Sequence, residues 1–292
     1  MDSSFWIVLT GILVSWIGSL LGSFLVLRKM AMISDAISHA LLPGLFIGFM
    51  IAGSRDSLPL IIGAASFGLF ASIAIQYLNQ TIRLQTDASI GLVYTLLFSI
   101  GIVLVSAYAG NNDFDTDCVL FGEIAFIPLD TTTLFGMEIP KGTLQLFFGL
   151  IVVAAFVLIG YRGLAVTSFD PNFAGAIGIS LAFWQYSLMG MVSLGTVLSF
   201  EAVGVILVVA FLTIPAATAY ILTERLKYML SLSLVFGVTA SVLGYFGAML
   251  FDTSISATMA VAAGVQFAVV MMLKVVLRGR KRKVILFQGK KS

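Results

Sequence analysis

The chain has 292 residues, 60% of them hydrophobic and only 10% charged, with a formal net charge of +2. Soluble domains carry about 25% charged residues, so a mean hydropathy of +1.09 excludes a water-soluble globule and reads as a polytopic membrane protein. The single cysteine, Cys118, excludes an intrachain disulfide.

A membrane span needs about 20 apolar residues, roughly 30 Å of helix. Such runs fall at 5–27, 31–52, 58–78, 88–108, 143–161, 181–199, 200–222, 229–250 and 256–277. Nine spans is the best count. Eight or ten are the alternatives, because the apolar stretch from 181 to 222 is nearly unbroken. The first run follows Met1-Asp2-Ser3-Ser4, which lacks a basic segment, so it reads as a retained span and not a cleaved signal.

Basic residues in short loops set the expected orientation. Arg28, Lys29, Arg83, Arg162, Arg225, Lys227 and the tail from Arg278 fall on one side, and Asp56, Asp113, Asp115, Asp117 and Asp252 on the other. Arg55 and Lys141 are the minority exceptions. This predicts an outside N-terminus and a cytoplasmic C-terminus. The chain divides into a transmembrane domain over 1–277 and a basic tail over 278–292. That tail, RGRKRKVILFQGKKS, holds seven of the sixteen Lys and Arg residues. Beside a span it reads as topology or anionic-lipid anchoring, not as a nucleic-acid patch. Two loops stand out. Residues 109–142 lie outside and include an apolar piece suited to the interface. Residues 162–180 lie inside, where Ser168 or Asp170 can cap a short helix with Pro171 at its first position.

Polar residues within the spans carry the functional signal. In MAMISDAISHALLPG, Asp35 and the sole histidine, His39, are spaced i, i+4 and share one helix face about 6 Å apart. Counting from Lys29 places His39 about 15 Å deep. Ser34 and Ser38 flank the pair, and Pro43 with Gly44 can bend the helix beyond it. An ionised side chain at mid-bilayer costs roughly 2.5–3.5 kcal/mol, so the pair needs a reason. One reading is a local hydrogen bond that fixes helix packing. The other is a pair of ligands for a divalent ion of the Zn, Mn or Fe type. One pair gives two ligands; a symmetric dimer would give two Asp and two His, enough for a four-coordinate site.

Glu201, in SFEAVGVILVVAFLTIPAATAY, is either an interfacial carboxylate or a group on the ion path. Pro215 stands mid-span among Thr213, Ala216, Ala217 and Thr218, a pattern of close helix approach around a kink. Gly18/Gly22 and Gly44/Gly48 are GxxxG pairs with the same implication. Absences narrow the function. No phosphate-loop motif is present, so ATP hydrolysis by this chain is not expected. No HExxH and no nucleophile triad are present. Cys118 lies outside the spans and no paired methionine track exists, which disfavours copper(I).

With these residues in view, RKMAMISDAISHALLPG resembles the signature of the zinc/manganese/iron permease subunits of bacterial ABC transporters. Further matches follow in order: TDASIGLVYTLLFSIGIVL, VLFGEI, SFDPNFAGAIGI and EAVGVILVVAFLTIPAATAYILTERL. They cover roughly residues 10 to 275. The resemblance implies an all-α, dimeric importer-permease fold in the bacterial plasma membrane. It implies that Asp35 and His39 ligate metal in the translocation path. It also implies that the segment from about Phe169 to Ile179, with Asp170, Pro171, Phe173, Gly175 and Gly178, is a cytoplasmic coupling helix. The implied partners are two copies of an ATP-binding subunit, a second permease, identical or related, and an extracytoplasmic metal-binding protein. No permanent cofactor is implied; the metal is cargo. Glu201 departs from the family pattern. A transporter of ions coupled to a gradient, without an ATPase, and a non-transporting membrane protein are the rival readings.

Overall fold

The computed structural model describes residues 3–52, 57–108, 124–134 and 137–288. Ten α-helices run in chain order: α1 Ser3–Leu27, α2 Ile33–Ala52, α3 Ser57–Thr81, α4 Thr86–Tyr108, α5 Lys141–Phe169, α6 Pro171–Ala176, α7 Leu181–Val203, α8 Val205–Leu222, α9 Leu226–Phe251 and α10 Ile255–Gln288. Among the described residues nine of them, all but α6, are long and apolar enough to span a membrane. Arg55, Asp56, Asp113, Asp115, Asp117 and Cys118 lie outside the described residues.

Three boundaries differ from the sequence expectation. The fifth span does not stop at residue 161 but continues through Arg162 to Phe169, because RGLAVTSF contains no proline and Gly163 is held mid-helix against Trp184. The turn within the long apolar stretch falls at Gly204, not at 199–200. Gly204 adopts φ +80°, a conformation that glycine reaches without steric cost. The last helix backbone continues past residue 277 into the basic tail, as far as Gln288. The outer loop also holds structure of its own: a 3₁₀ turn at Ile124–Leu129 and an antiparallel ribbon of β1 (Thr131–Leu134) and β2 (Met137–Pro140), with Thr132 opposite Ile139. This ribbon is the one departure from an all-α chain among the described residues.

Helix α1 is the hub. It packs against α5, α7, α8 and α9, while α2 packs against α3 and α4, and α3 leans on α7. The GxxxG pairs make the close contacts. A Cβ on Gly18 would stand 2.7 Å from the Phe211 carbonyl oxygen of α8, and one on Gly22 would strike the Leu212 carbonyl. In the same way, Gly44 and Gly48 of α2 meet the backbone of Gly63 and Pro59 on α3, at 2.5 and 2.7 Å. Without a hydrophobic drive between helices in lipid, such close backbone packing supplies the association. Hydroxyls add cross-links: Thr10 with Thr143 at 2.8 Å, Ser19 to the Ser233 carbonyl at 3.1 Å, and Ser193 to the Ala65 carbonyl at 3.2 Å.

The α1–α2 connection positions Asp35 and His39. Lys29 closes α1 in the left-handed region at φ +58°, and Met30 N–H donates to the Leu25 carbonyl at 2.9 Å, a Schellman closure. The chain reverses there and α2 begins only at Ile33. His39 therefore lies six residues into its helix, about 9 Å from the helix start and not 15 Å.

Candidate functional site

Asp35 stands in the first turn of α2, where the helix dipole favours a carboxylate. His39 stands one turn further on the same face. Its Nε2 lies 3.5 Å from Asp35 Oδ1, with Asp35 46% and His39 25% exposed at the side chain. That separation is too long for a strong hydrogen bond. Two ligands each about 2.1 Å from one ion at the tetrahedral angle would stand about 3.4 Å apart. The flanking hydroxyls do not compete for the pair. Ser34 donates to the Ala31 carbonyl and Ser38 to the Ser34 carbonyl. The other imidazole nitrogen, Nδ1, is buried and has no hydrogen-bond partner among the described residues.

Helix α4 supplies a wall that the sequence reading did not single out. The Tyr94 and Phe98 rings lie 5.0 and 5.2 Å from the His39 ring, centroid to centroid. One turn further, Gly101 faces Pro43: a Cβ there would stand 2.9 Å from Pro43 Cδ. Positions 94, 98 and 101 form one helical stripe, and that spacing was the available signal. The stripe holds the imidazole plane while leaving the Asp35 side open. Pro43 lies inside α2 and has no N–H to donate to the His39 carbonyl.

Pro215 lies buried inside α8. It cannot donate to the Phe211 carbonyl, which is the oxygen that Gly18 approaches. Glu201 is exposed near the C-terminal end of α7. Among the described residues no three His, Cys, Asp or Glu side chains gather, so Glu201 does not join Asp35 and His39 in a cluster within this chain.

The second site is α6. Asp170, not Ser168, is its N-cap: its Oδ1 accepts from Phe173 N–H at 2.9 Å. Pro171 holds the first helical position. The helix proper is shorter than the expected 169–179. It ends at Ala176, and Gly178 at φ +81° lets Ile179 N–H close back on the Ala174 carbonyl at 2.9 Å. Phe169, Phe173 and Ile177 are more than half exposed, at 56, 54 and 52%. Gly175 has nothing within 4 Å of a Cβ position. A glycine inside a helix costs about 0.5–1 kcal/mol relative to alanine, and no neighbour among the described residues requires it.

Arg28 joins the two sites, a role the sequence reading gave only to topology. From the α1–α2 turn its Nε donates to Ser168 Oγ and its Nη2 to Thr167 Oγ1, both at 2.9 Å. Burial lowers its guanidinium to about 10, which still leaves it charged at neutral pH. The end of α5, from which α6 departs, is thereby tied to the turn that launches the Asp35–His39 helix.

The profile of the ABC 3 transport family matches residues 1–274. The chain is 45% identical over 269 residues to the manganese transport system membrane protein MntD of Bacillus subtilis, covering 92% of this chain and 91% of that one. It is 37% identical to the zinc transport system membrane protein TroD of Treponema pallidum, over 90% of this chain and 72% of the relative. Among solved structures it is similar to PsaBC from Streptococcus pneumoniae in complex with Fab. The TM-score is 0.76 at 31% identity, covering 92% of this chain and 91% of that one.

Proposed function

The chain belongs to the ABC 3 transport family, as a metal-importer permease, and from that premise we propose that it passes a divalent transition-metal ion into the bacterial cytoplasm through Asp35 and His39. The observation that carries the proposal is the 3.5 Å spacing of Oδ1 and Nε2 on one face of an otherwise uncharged helix. Manganese is the cargo that the 45% identical relative's name supports best, ahead of zinc and iron. A carboxylate with an imidazole suits all three ions.

In this reading a binding protein outside delivers the ion. Asp35 and His39 stand in for part of its water shell, and a second permease copy across a two-fold axis supplies two further ligands. Binding stays weak enough for release inward. ATP is hydrolysed on two separate subunits, each gripping α6 through Phe169, Phe173 and Ile177, with the bare Gly175 allowing close approach. The N-terminus lies outside and α6 faces the cytoplasm. The neutral imidazole is the ligand.

The test is accumulation of radioactive manganese in cells carrying the full transporter. Asp35→Ala and His39→Ala are each expected to lower uptake by about 100-fold or more with unchanged membrane content. If either variant transports at the wild-type rate, its residue is not a ligand. Gly175→Trp is expected to abolish copurification of the ATPase. If uptake needs no ATPase at all, gradient-coupled transport replaces this mechanism.

A further inference from the structure

On the face of the bundle away from α2, helices α1, α5 and α9 leave a groove of about 750 Å³. Its walls are apolar over most of their length, with Leu20, Leu150, Val157 and Leu234 among the lining side chains. Leu158 and Ile159 at its rim are 76 and 88% exposed. At one end only, the lining changes character: Arg162 of α5, Lys227 in the first turn of α9, Tyr161 and Ser231. Neither Arg162 nor Lys227 has a carboxylate within ion-pair distance among the described residues. Glu224, the acid closest to them in sequence, pairs with neither.

We propose that this groove binds one anionic phospholipid, its phosphate held by Arg162 and Lys227 and one acyl chain laid along α1 and α5. Three features agree on that occupant. From Leu150 to Arg162 the groove follows α5 for about 18 Å, close to half of a hydrocarbon core of about 30 Å. That length matches one leaflet, which would set Arg162 and Lys227 at headgroup level. The two cations share the end from which α6 projects, the side expected to face the anionic cytoplasmic leaflet. A cation pair without an acid beside it attracts an anion, while the apolar walls exclude a free hydrated one. Zwitterionic lipid would fill the same walls but leave the two charges uncompensated. The site is separate from the ion path, so it stands or falls independently of the metal reading.

The experiment is native mass spectrometry of the purified full-length permease. The protein is delipidated and then exposed to mixed micelles of dioleoylphosphatidylglycerol and dioleoylphosphatidylcholine. The expected result is one retained phosphatidylglycerol per chain. Its preference over phosphatidylcholine is about 25-fold, since each cation near an anionic surface contributes about a factor of five. The double variant Arg162→Gln/Lys227→Gln is expected to lose that preference. Arg225→Gln, which removes a neighbouring charge stacked on Tyr228 and outside the groove, keeps it. Ala154→Trp fills the groove and is expected to reduce lipid retention with both cations in place. A thermal melt of each variant separates loss of lipid from loss of fold. Equal retention of the two lipids by wild type, or an undiminished preference in the double variant, overturns the proposal. Displacement of the lipid by millimolar inorganic phosphate also overturns it, because the site would then recognise the phosphate alone.

Discussion

Two buried prolines stand inside spans of this protein, and their surroundings differ. Pro215 of α8 leaves the Phe211 carbonyl without its helical donor, and α1 closes over that oxygen with Gly18 at a distance no side chain would permit. Pro43 of α2 leaves the His39 carbonyl without its donor. There the neighbour is a half-open carboxylate, an imidazole with an unpartnered Nδ1, and an aromatic wall. The same backbone defect is absorbed by packing in one helix and placed beside the candidate metal ligands in the other. A proline in a span thus acquires its meaning from what meets the carbonyl one turn earlier.

The contrast can be broken at several points. The largest effect is expected from Gly22→Leu, which drives a side chain into the Leu212 carbonyl of α8. Such overpacking costs about 3 kcal/mol or more, and folded protein should be lost, as read by detergent size exclusion. A monodisperse Gly22→Leu variant would show that the α1–α8 contact is looser than described.

Next come the prolines themselves. Pro43→Ala restores a donor to the His39 carbonyl and should lower metal uptake about tenfold while stability holds or rises, since interior proline costs a helix about 3 kcal/mol. Pro215→Ala should leave uptake within about twofold, because Gly18 already covers the carbonyl it would bond. A reversal of these two outcomes would assign packing to α2 and function to α8.

Arg28→Gln tests the tie between the sites. Hydrogen bonds from a charged donor contribute about 1.5–3 kcal/mol, partly offset by releasing a desolvated cation. A small fall in melting temperature is expected, with a larger loss of metal uptake per ATP hydrolysed. Unchanged coupling would reduce Arg28 to a structural brace. The smallest effect is expected from Glu201→Gln. An exposed carboxylate near the end of α7, outside any cluster with Asp35 and His39, should change uptake by less than about twofold at its level of solvent screening.

The fold was legible where one kind of residue forces the geometry. Runs of apolar residues gave the nine spans, the GxxxG pairs gave the tight contacts, and Pro171 behind a cap at Ser168 or Asp170 gave the start of α6, with the choice of Asp170 coming from the structure. It was less legible where the sequence permits more than one stop. The 181–222 stretch is nearly unbroken in apolar character, with Glu201 readable as interfacial or intramembrane, so only the positive φ of Gly204 marks its turn. Residues 162–169 contain no proline, Gly163 turns out to pack mid-helix against Trp184, and a basic residue at 162 reads equally well as a loop or as a snorkelling position.

At the candidate site, the i, i+4 spacing of Asp35 and His39 was readable within one helix. Tyr94, Phe98 and Arg28 were not, because their contacts cross between helices and no local periodicity points to the partner. The stripe at 94, 98 and 101 could have been extracted, but only its apposition to α2 makes it a wall for His39.

The central claim is that one passing cation touches both Asp35 and His39. Its most direct test is anomalous diffraction at the manganese edge from crystals of the transporter soaked in manganese. A peak is expected within about 2.3 Å of both Asp35 Oδ1 and His39 Nε2, absent in His39→Ala crystals. A peak elsewhere in the membrane region, with Asp35 and His39 still paired at 3.5 Å and no density between them, would contradict it.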